Sequence, residues 1–258
     1  MHATGAITPY IDVAQLTLYA FWIFFAGLII YLTLESKREG FPMITNRQGE
    51  RPKGILPMPA PKTFHLYHGG TRAVPWNEPL EVLALRPTSP WEGAPYEPTG
   101  NPMIDGVGPA SFTARDPHPE LDYHGAIRTF PMRTDPLYSV APEDPDPRGM
   151  TVLGCDDLVA GTVADLWVDR TECVIRFVEV ALPDPLARHV LVPWELTQVK
   201  MSARSGLIKV VSVTAELFKT APVPANPDVV TAREEDQIAA YFAAGHLYAT
   251  ADRFGPLI

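Results

Sequence analysis

No charged side chain interrupts the stretch from Val13 to Leu34, VAQLTLYAFWIFFAGLIIYLTL. At ~1.5 Å rise per residue its roughly 22 residues cover a ~30 Å hydrocarbon layer as one helix. Inside lipid a backbone has to satisfy its own hydrogen bonds, so an isolated apolar run crosses only as a helix. Gln15, Thr17 and Thr33 lie near its ends, and Tyr19, Trp22 and Tyr31 bring the amphipathic rings that anchor at headgroup level. No Lys or Arg precedes Lys37, whereas Lys37, Arg38, Arg47, Arg51 and Lys53 crowd the far side. Positive flanks stay in the cytoplasm, which predicts an N-terminus outside and everything after Ser36 inside. A cleaved leader would show a basic start, a shorter apolar run and small residues at its end. This chain has no basic residue at its start, a long run, and bulky Leu32 and Leu34 at its end. A buried core helix fits poorly with an unbroken run flanked by such asymmetric charge.

Of the 258 residues, about 220 follow the span, enough for one or two domains with real cores. The formal charge of −9 argues against a nucleic-acid partner, which would favour a basic face. The basic cluster just after the helix lies where anionic headgroups of membrane lipids are found. Cys155 and Cys173 form neither a CxxC nor a metal-ligand cluster and read as reduced structural thiols.

Between Phe41 and Arg148 the chain holds about 20 of its 28 prolines, which remove backbone donors and forbid long helix interiors. Its aromatics, Phe64, Tyr67, Trp76, Trp91, Tyr96 and Phe112, argue against a disordered linker. The expected form is an extended segment with short strands laid along a partner. From Met150 the texture turns to β: Leu158–Asp169 and Glu172–Leu182 are two Val/Ile/Phe/Trp-rich runs around a polar turn, a hairpin signal. Runs at Arg188–Val192, Gln198–Met201 and Leu207–Val213 continue at the spacing of a small antiparallel barrel. Thr231 and Glu234 have capping-box spacing before an apolar stripe of Ile238, Tyr241 and Phe242, and Gly245 either ends that helix or lets something approach closely. No phosphate loop, nucleophile elbow or zinc-protease helix is present. The fold class is therefore a single transmembrane helix, a mainly-β domain and a short C-terminal helix.

Six strings in order resemble the H subunit of the purple-bacterial photosynthetic reaction centre. They are Glu35-Ser36-Lys37-Arg38-Glu39-Gly40-Phe41-Pro42, Pro61-Lys62-Thr63-Phe64, Asn101 through Ser111 (NPMIDGVGPAS), Pro145-Asp146-Pro147-Arg148-Gly149-Met150, Val163-Ala164-Asp165-Leu166-Trp167-Val168-Asp169, and the closing Glu234-Glu235-Asp236 with Ala243-Ala244-Gly245 and Leu247-Tyr248-Ala249. The fifth lies in the part that resembles a PRC-barrel domain. The resemblance implies a periplasmic N-terminus (1–12), a membrane helix (13–34), a proline-rich segment packed on partner subunits (35–148), a PRC-barrel-like domain (149–225) and a C-terminal helix and tail (226–258). It implies a photosynthetic membrane and a non-enzymatic, non-pigmented subunit that caps the cytoplasmic quinone side and helps conduct protons to the secondary quinone. The implied partners are the L and M subunits, with a light-harvesting ring and a cytochrome subunit as further ones. Bacteriochlorophyll, bacteriopheophytin, quinones, non-haem iron and carotenoid would sit on those partners, with no cofactor or metal held by this chain.

Carrying protons through a low-dielectric cap needs closely spaced titratable groups. Asp169, Glu172 and Arg176 cluster at the hairpin turn; taken alone they read as ordinary turn residues, with Glu172 and Arg176 on one strand face. The resemblance matches all three to the family's acidic cluster near the secondary quinone. It likewise matches Asp122 and His124 to a surface point of proton uptake, although Ala126 stands where a second His would complete a transition-metal site. Glu235 reads as a helix-dipole acid by itself and as a member of the proton route by resemblance. Val229 replaces a further family acid, next to Asp228. The alternative from a different class is a membrane-tethered PRC-barrel adaptor that docks another protein; an anchored hydrolase lacks a nucleophile and base.

Overall fold

The structure, a computed structural model, describes residues 5–8, 10–41, 55–67, 69–75, 82–91, 93–183, 185, 188–202 and 205–253. Arg47, Arg51, Lys53 and Trp76 lie outside the described residues. The chain divides into two units, one formed by 1–82 with 89–94, the other by 83–88 with 95–258.

In the first unit a short antiparallel pair, β1 (Ala6–Thr8) and β2 (Ile11–Asp12), runs straight into α1 (Val13–Arg38). Asp12 is the N-cap, its Oδ1 accepting the Gln15 N–H at 2.7 Å. The Thr17 and Thr33 hydroxyls donate to the carbonyls of Val13 and Ile29, at 2.9 and 2.7 Å, so the helix satisfies them internally. Apolar side chains are exposed around the helix, including Trp22, Ile23 and Phe24. Its 26 residues span about 39 Å, long and apolar enough to cross a bilayer. It continues past Leu34 because Glu35, Lys37 and Arg38 are good helix formers, and the two cations complement its C-terminal dipole. Lys62 donates from Nζ to Glu35 Oε1 at 2.8 Å, which ties β3 (Lys62–His65) to the end of the helix; β3 pairs with β4 (Thr71–Val74).

The second unit opens with a hairpin of β5 (Leu85–Pro87) and β6 (Tyr96–Pro98) and a single-turn helix, α2 (Pro102–Asp105), capped by Asn101. Then come β7 (Thr129–Pro131), β8 (Thr151–Leu153), β9 (Val159–Asp169), β10 (Val174–Ala181), β11 (His189–Pro193), β12 (Thr197–Ser202), β13 (Ser205–Val210) and α3 (Ala232–Tyr248). The strands form one sheet in the order β11-β10-β9-β8-β13-β12, with β7 on the far half of β9. The two end strands, β11 and β12, follow each other directly through the 3-10 turn Trp194–Leu196, so the sheet must curl to bring its ends together. That is the barrel-like body.

One core runs through it, centred on Val152, Leu166, Trp167, Val178, Val190 and Ile208. Each such side chain contributes roughly 1.5–3 kcal/mol of transfer free energy. α3 closes one side with Ile238, Tyr241 and Phe242, and its capping box is formed: Thr231 Oγ1 accepts the Glu234 N–H at 3.2 Å while Glu234 Oε2 accepts the Thr231 N–H at 2.8 Å. Gly245 does not end the helix, which runs on to Tyr248. A Cβ on Gly245 would lie 2.5 Å from the Ser212 carbonyl oxygen, so close approach is its role.

The structure corrects three expectations. The proline-rich segment is not wholly given over to partners: Met103, Ala110, Phe130 and Met132 belong to the chain's own core. Missing backbone donors forbid long helices but leave apolar side chains free to bury from turns and from one short strand. For the same reason the sheet begins before residue 149, at Thr129. Cys173 is exposed in the β9–β10 turn rather than a structural core thiol, with φ +54°. Phe64, Tyr67, Trp91 and Tyr96 remain exposed.

Candidate functional site

A small hairpin positions the first member of the site. Leu121 and Ile127 form a β-bridge, the Asp122 N–H donates to the Ala126 carbonyl at 2.8 Å, and the Arg128 N–H donates to the Glu120 carbonyl at 2.8 Å. The next residues are β7, whose Thr129 is registered opposite Asp169 at the end of β9. Arg128 is thereby delivered to the β9–β10 turn.

There its guanidinium meets three carboxylates. Nε donates to Asp169 Oδ2 at 2.7 Å, Nη2 to Glu172 Oε1 at 3.0 Å and Nη1 to Glu120 Oε2 at 3.1 Å. Asp169 is 0% exposed, and its other oxygen accepts the N–H groups of Thr171 and Glu172 at 2.8 and 3.0 Å. Glu172 is exposed in the turn. Arg115 also holds Glu120, and donates to Asp236 at 3.3 Å. A chain of alternating charge thus runs from Asp236 through Arg115, Glu120 and Arg128 to Asp169 and Glu172.

Glu235 faces the same assembly from the first turn of α3. It is 8% exposed and takes a hydrogen bond from the Thr129 side chain. Burial pushes its carboxyl above the ordinary range, the charge of Glu120 adds to that, and Arg176 and Arg115 oppose it. Arg176 lines a cleft of about 100 Å³ together with Glu235.

The structure therefore joins Asp169 to Glu172 through Arg128, and Arg176 to Glu235 across the cleft. It does not put Glu172 and Arg176 on one strand face, because β10 begins at Val174 and leaves Glu172 in the turn, while the ladder is irregular between Ile175 and Phe177. Asp122 and His124 stand apart: among the described residues no hydrogen bond or ion pair joins them to the Arg128 cluster. Asp122 Oδ1 accepts the N–H groups of Ala126 and His124, each at 2.8 Å, and these bonds hold its carboxyl below the usual range. The His124 ring stands edge-on to Tyr123.

Arg115, Arg128 and Asp236 escaped sequence reasoning because the pairs Arg115–Asp236, Arg128–Asp169 and Arg128–Glu172 join residues 121, 41 and 44 positions apart. A second buried cluster left a visible trace. Asp165 and Glu179 interrupt apolar runs in β9 and β10, the mark of a paired buried charge. Glu179 accepts from Trp167 Nε1 at 2.9 Å and from Arg133 Nη1 at 2.5 Å, and meets His189 Nδ1 at 2.5 Å; Arg133 also reaches Asp165 and Asp228.

The sequence profile of the photosynthetic reaction centre H-chain N-terminal region matches residues 5–134, just over half of the chain. The chain belongs to the photosynthetic reaction centre H-chain family. A second profile, that of the PRC-barrel domain, matches residues 143–216 and so covers β8 to β13. The H-chain match takes in α1, most of the proline-rich segment, Arg115, Glu120 and Arg128, all outside the PRC-barrel match. An H chain is a subunit of the reaction centre and associates with its other subunits.

Proposed function

We propose that this H chain caps the cytoplasmic quinone side of a type-II reaction centre and conducts protons to the secondary quinone as it is reduced. In this reading α1 crosses the membrane with its N-terminus in the periplasm, beside L and M subunits that carry the pigments, the quinones and the non-haem iron. The chain itself takes no part in electron transfer. The exposed aromatics Phe64, Tyr67, Trp91 and Tyr96 supply apolar area for those neighbours. Lys37 and Arg38 at the end of α1 support the orientation.

The observation that carries the proton-conducting reading is Arg128 bridging Glu120, Asp169 and Glu172 within a single guanidinium's reach. A proton moves between carboxylates only if each can be neutral for a moment at little cost. Arg128 and Arg115 between them hold four carboxylates, Glu120, Asp169, Glu172 and Asp236, so the assembly carries more acids than cations and sets them close enough to exchange a proton. Glu172, at the exposed end of the cluster, is the member able to face a partner. Glu235, biased towards its neutral form by burial, acts as the inner donor.

Replacing Glu172 by Gln in the assembled reaction centre tests the reading. The proton-coupled second electron transfer to the secondary quinone slows by about tenfold, with an altered pH profile, while the first charge separation keeps its rate. An unchanged second transfer and pH profile would remove Glu172 from the path.

A further inference from the structure

We infer that the groove between the start of β11 and the segment 223–227 ahead of α3 binds a small amphiphilic carboxylate, its apolar body against Trp167 and Leu191 and its acid group on Arg188 and His189. The site shares no residue with the charged cluster at the β9–β10 turn and is independent of the proton-conducting reading. Its volume is about 540 Å³, within the range of about 300–1,000 Å³ common to small-molecule sites.

Three strands build the floor. Glu179 on β10 is registered between Asp165 on β9 and Leu191 on β11, and just beyond it the β9–β10 ladder slips, leaving Ala164 as the extra residue of a bulge at the edge of the groove. Trp167 and Leu191 are buried beneath the opening. The opposite wall is apolar, since Val223 and Ala225 are joined there by Pro224 and Pro227, which have no N–H. Two of its polar groups are fixed elsewhere: the Ala225 N–H donates to Glu234 Oε1 at 2.8 Å, and the Pro227 carbonyl accepts from Arg133 Nη2 at 2.6 Å. The groove is therefore preformed, and an entering apolar group has little to order.

The polar capacity left over in the groove decides the ligand. Glu179 is already engaged on both oxygens, Oε1 with His189 Nδ1 at 2.5 Å and Oε2 with Trp167 Nε1 at 2.9 Å and Arg133 Nη1 at 2.5 Å, so an entering cation would have to displace one of these. Donors, by contrast, are in surplus. Arg188 donates from Nη1 to the Lys219 carbonyl at 2.6 Å and from Nη2 to the Ala221 carbonyl at 2.7 Å, and a guanidinium carries more N–H groups than these bonds use. The carbonyls fix its position without neutralising it, and among the described residues no carboxylate pairs with it. His189 has its Nδ1 on Glu179, which leaves Nε2 for a ligand. A fixed, half-buried cation beside an apolar floor matches a single negative charge on an apolar body. A carboxylate carries that charge, whereas a phosphate monoester, closer to a dianion, exceeds it.

The test titrates the full-length chain, in a non-ionic detergent, into para-fluorophenylacetate and reads binding as saturable broadening of the fluorine NMR line. The uncharged para-fluorophenylacetamide serves as the control for apolar contact and for partition into the detergent. Wild type is expected to bind the acid about tenfold more tightly than the amide. R188Q removes the charge while keeping a donor for one of the two carbonyls, and A164F fills the groove while leaving both Arg188 bonds in place. Each is expected to weaken binding of the acid by about tenfold, and R188Q is expected to leave the weaker binding of the amide unchanged. Displacement of the probe by octanoate extends the site to alkyl acids, and its failure restricts the site to aromatic ones; both outcomes support a carboxylate site. Absence of saturable broadening with wild type, or an amide that binds as tightly as the acid, overturns the proposal. So does an R188Q chain with wild-type affinity for the acid. Unchanged binding in A164F puts the probe outside the groove and overturns it as well.

Discussion

Arg128 donates from Nε to Asp169 Oδ2 at 2.7 Å, along the line where β7 meets the end of β9. The carboxylate is fully buried and the guanidinium about a quarter exposed. Breaking a buried ion pair by removing one partner costs about 3–5 kcal/mol, and the partial exposure of Arg128 puts this one at the lower end. Asp169→Asn should therefore destabilise the chain by about 3 kcal/mol, because its amide cannot accept from Arg128 and both turn N–H groups equally well. The midpoint of urea unfolding of the detergent-solubilised chain measures this, and a loss under 1 kcal/mol would mean that the pair is not a structural element.

Glu179 should make the body acid-sensitive. Burial pushes its carboxyl up, but the bonds from His189, Trp167 and Arg133 outweigh burial and hold it below the usual range. A carboxyl whose folded value is depressed contributes stability above its unfolded value of about 4.3, and that stability is lost as pH falls through the folded value. Glu179→Gln is thus expected to be less stable than wild type by about 2–4 kcal/mol at neutral pH, with the gap closing below about pH 4. Tryptophan fluorescence reports it directly, since Trp167 Nε1 donates to the same carboxylate. A gap that persists unchanged at pH 3 contradicts the assignment.

Glu235 has the opposite sign. Its raised carboxyl contributes stability that is present below about pH 4.3 and is lost as pH rises through the folded value. Glu235→Gln removes the cost of ionising a buried group while keeping an acceptor for Thr129. The variant should melt higher than wild type at pH 8 and no higher at pH 4. A difference in Tm that is flat between those limits would show that burial does not raise the Glu235 carboxyl.

Much of this architecture could be read from the sequence, for identifiable reasons. The apolar run, the β9–β10 hairpin and the Thr231–Glu234 cap are local: each signal lies within one turn or one strand pair. The single-helix, mainly-β plan follows from them. Arg128 was invisible because its function depends on β7 joining β9, a pairing between residues about 40 positions apart, whereas the short strands expected in the proline-rich segment were assigned to a partner's surface. The Glu172–Arg176 expectation failed where a turn replaced strand alternation. Asp165 and Glu179, charged residues inside apolar runs, announced burial without naming Arg133 as their partner.

Gly245 offers a test of the packing of α3 against the sheet. In a solvated helix, replacing Gly by Ala gains about 1 kcal/mol from propensity. Here the added methyl would sit 2.5 Å from both the Ser212 carbonyl oxygen and a Val213 methyl, and the former is backbone that cannot rotate away. Overpacking of this kind costs about 1–3 kcal/mol. The helix would have to move outward, drawing Phe242 and Ala244 from the core and loosening Arg253, whose guanidinium donates to the carbonyls of Gly245 and Ser212 at 2.8 and 2.6 Å. Gly245→Ala should therefore lower Tm by several degrees despite its better helix propensity, at about 2–4 °C per kcal/mol for a domain of this size. An equal or higher Tm in the variant would show that α3 rides over the sheet with more room than this contact allows.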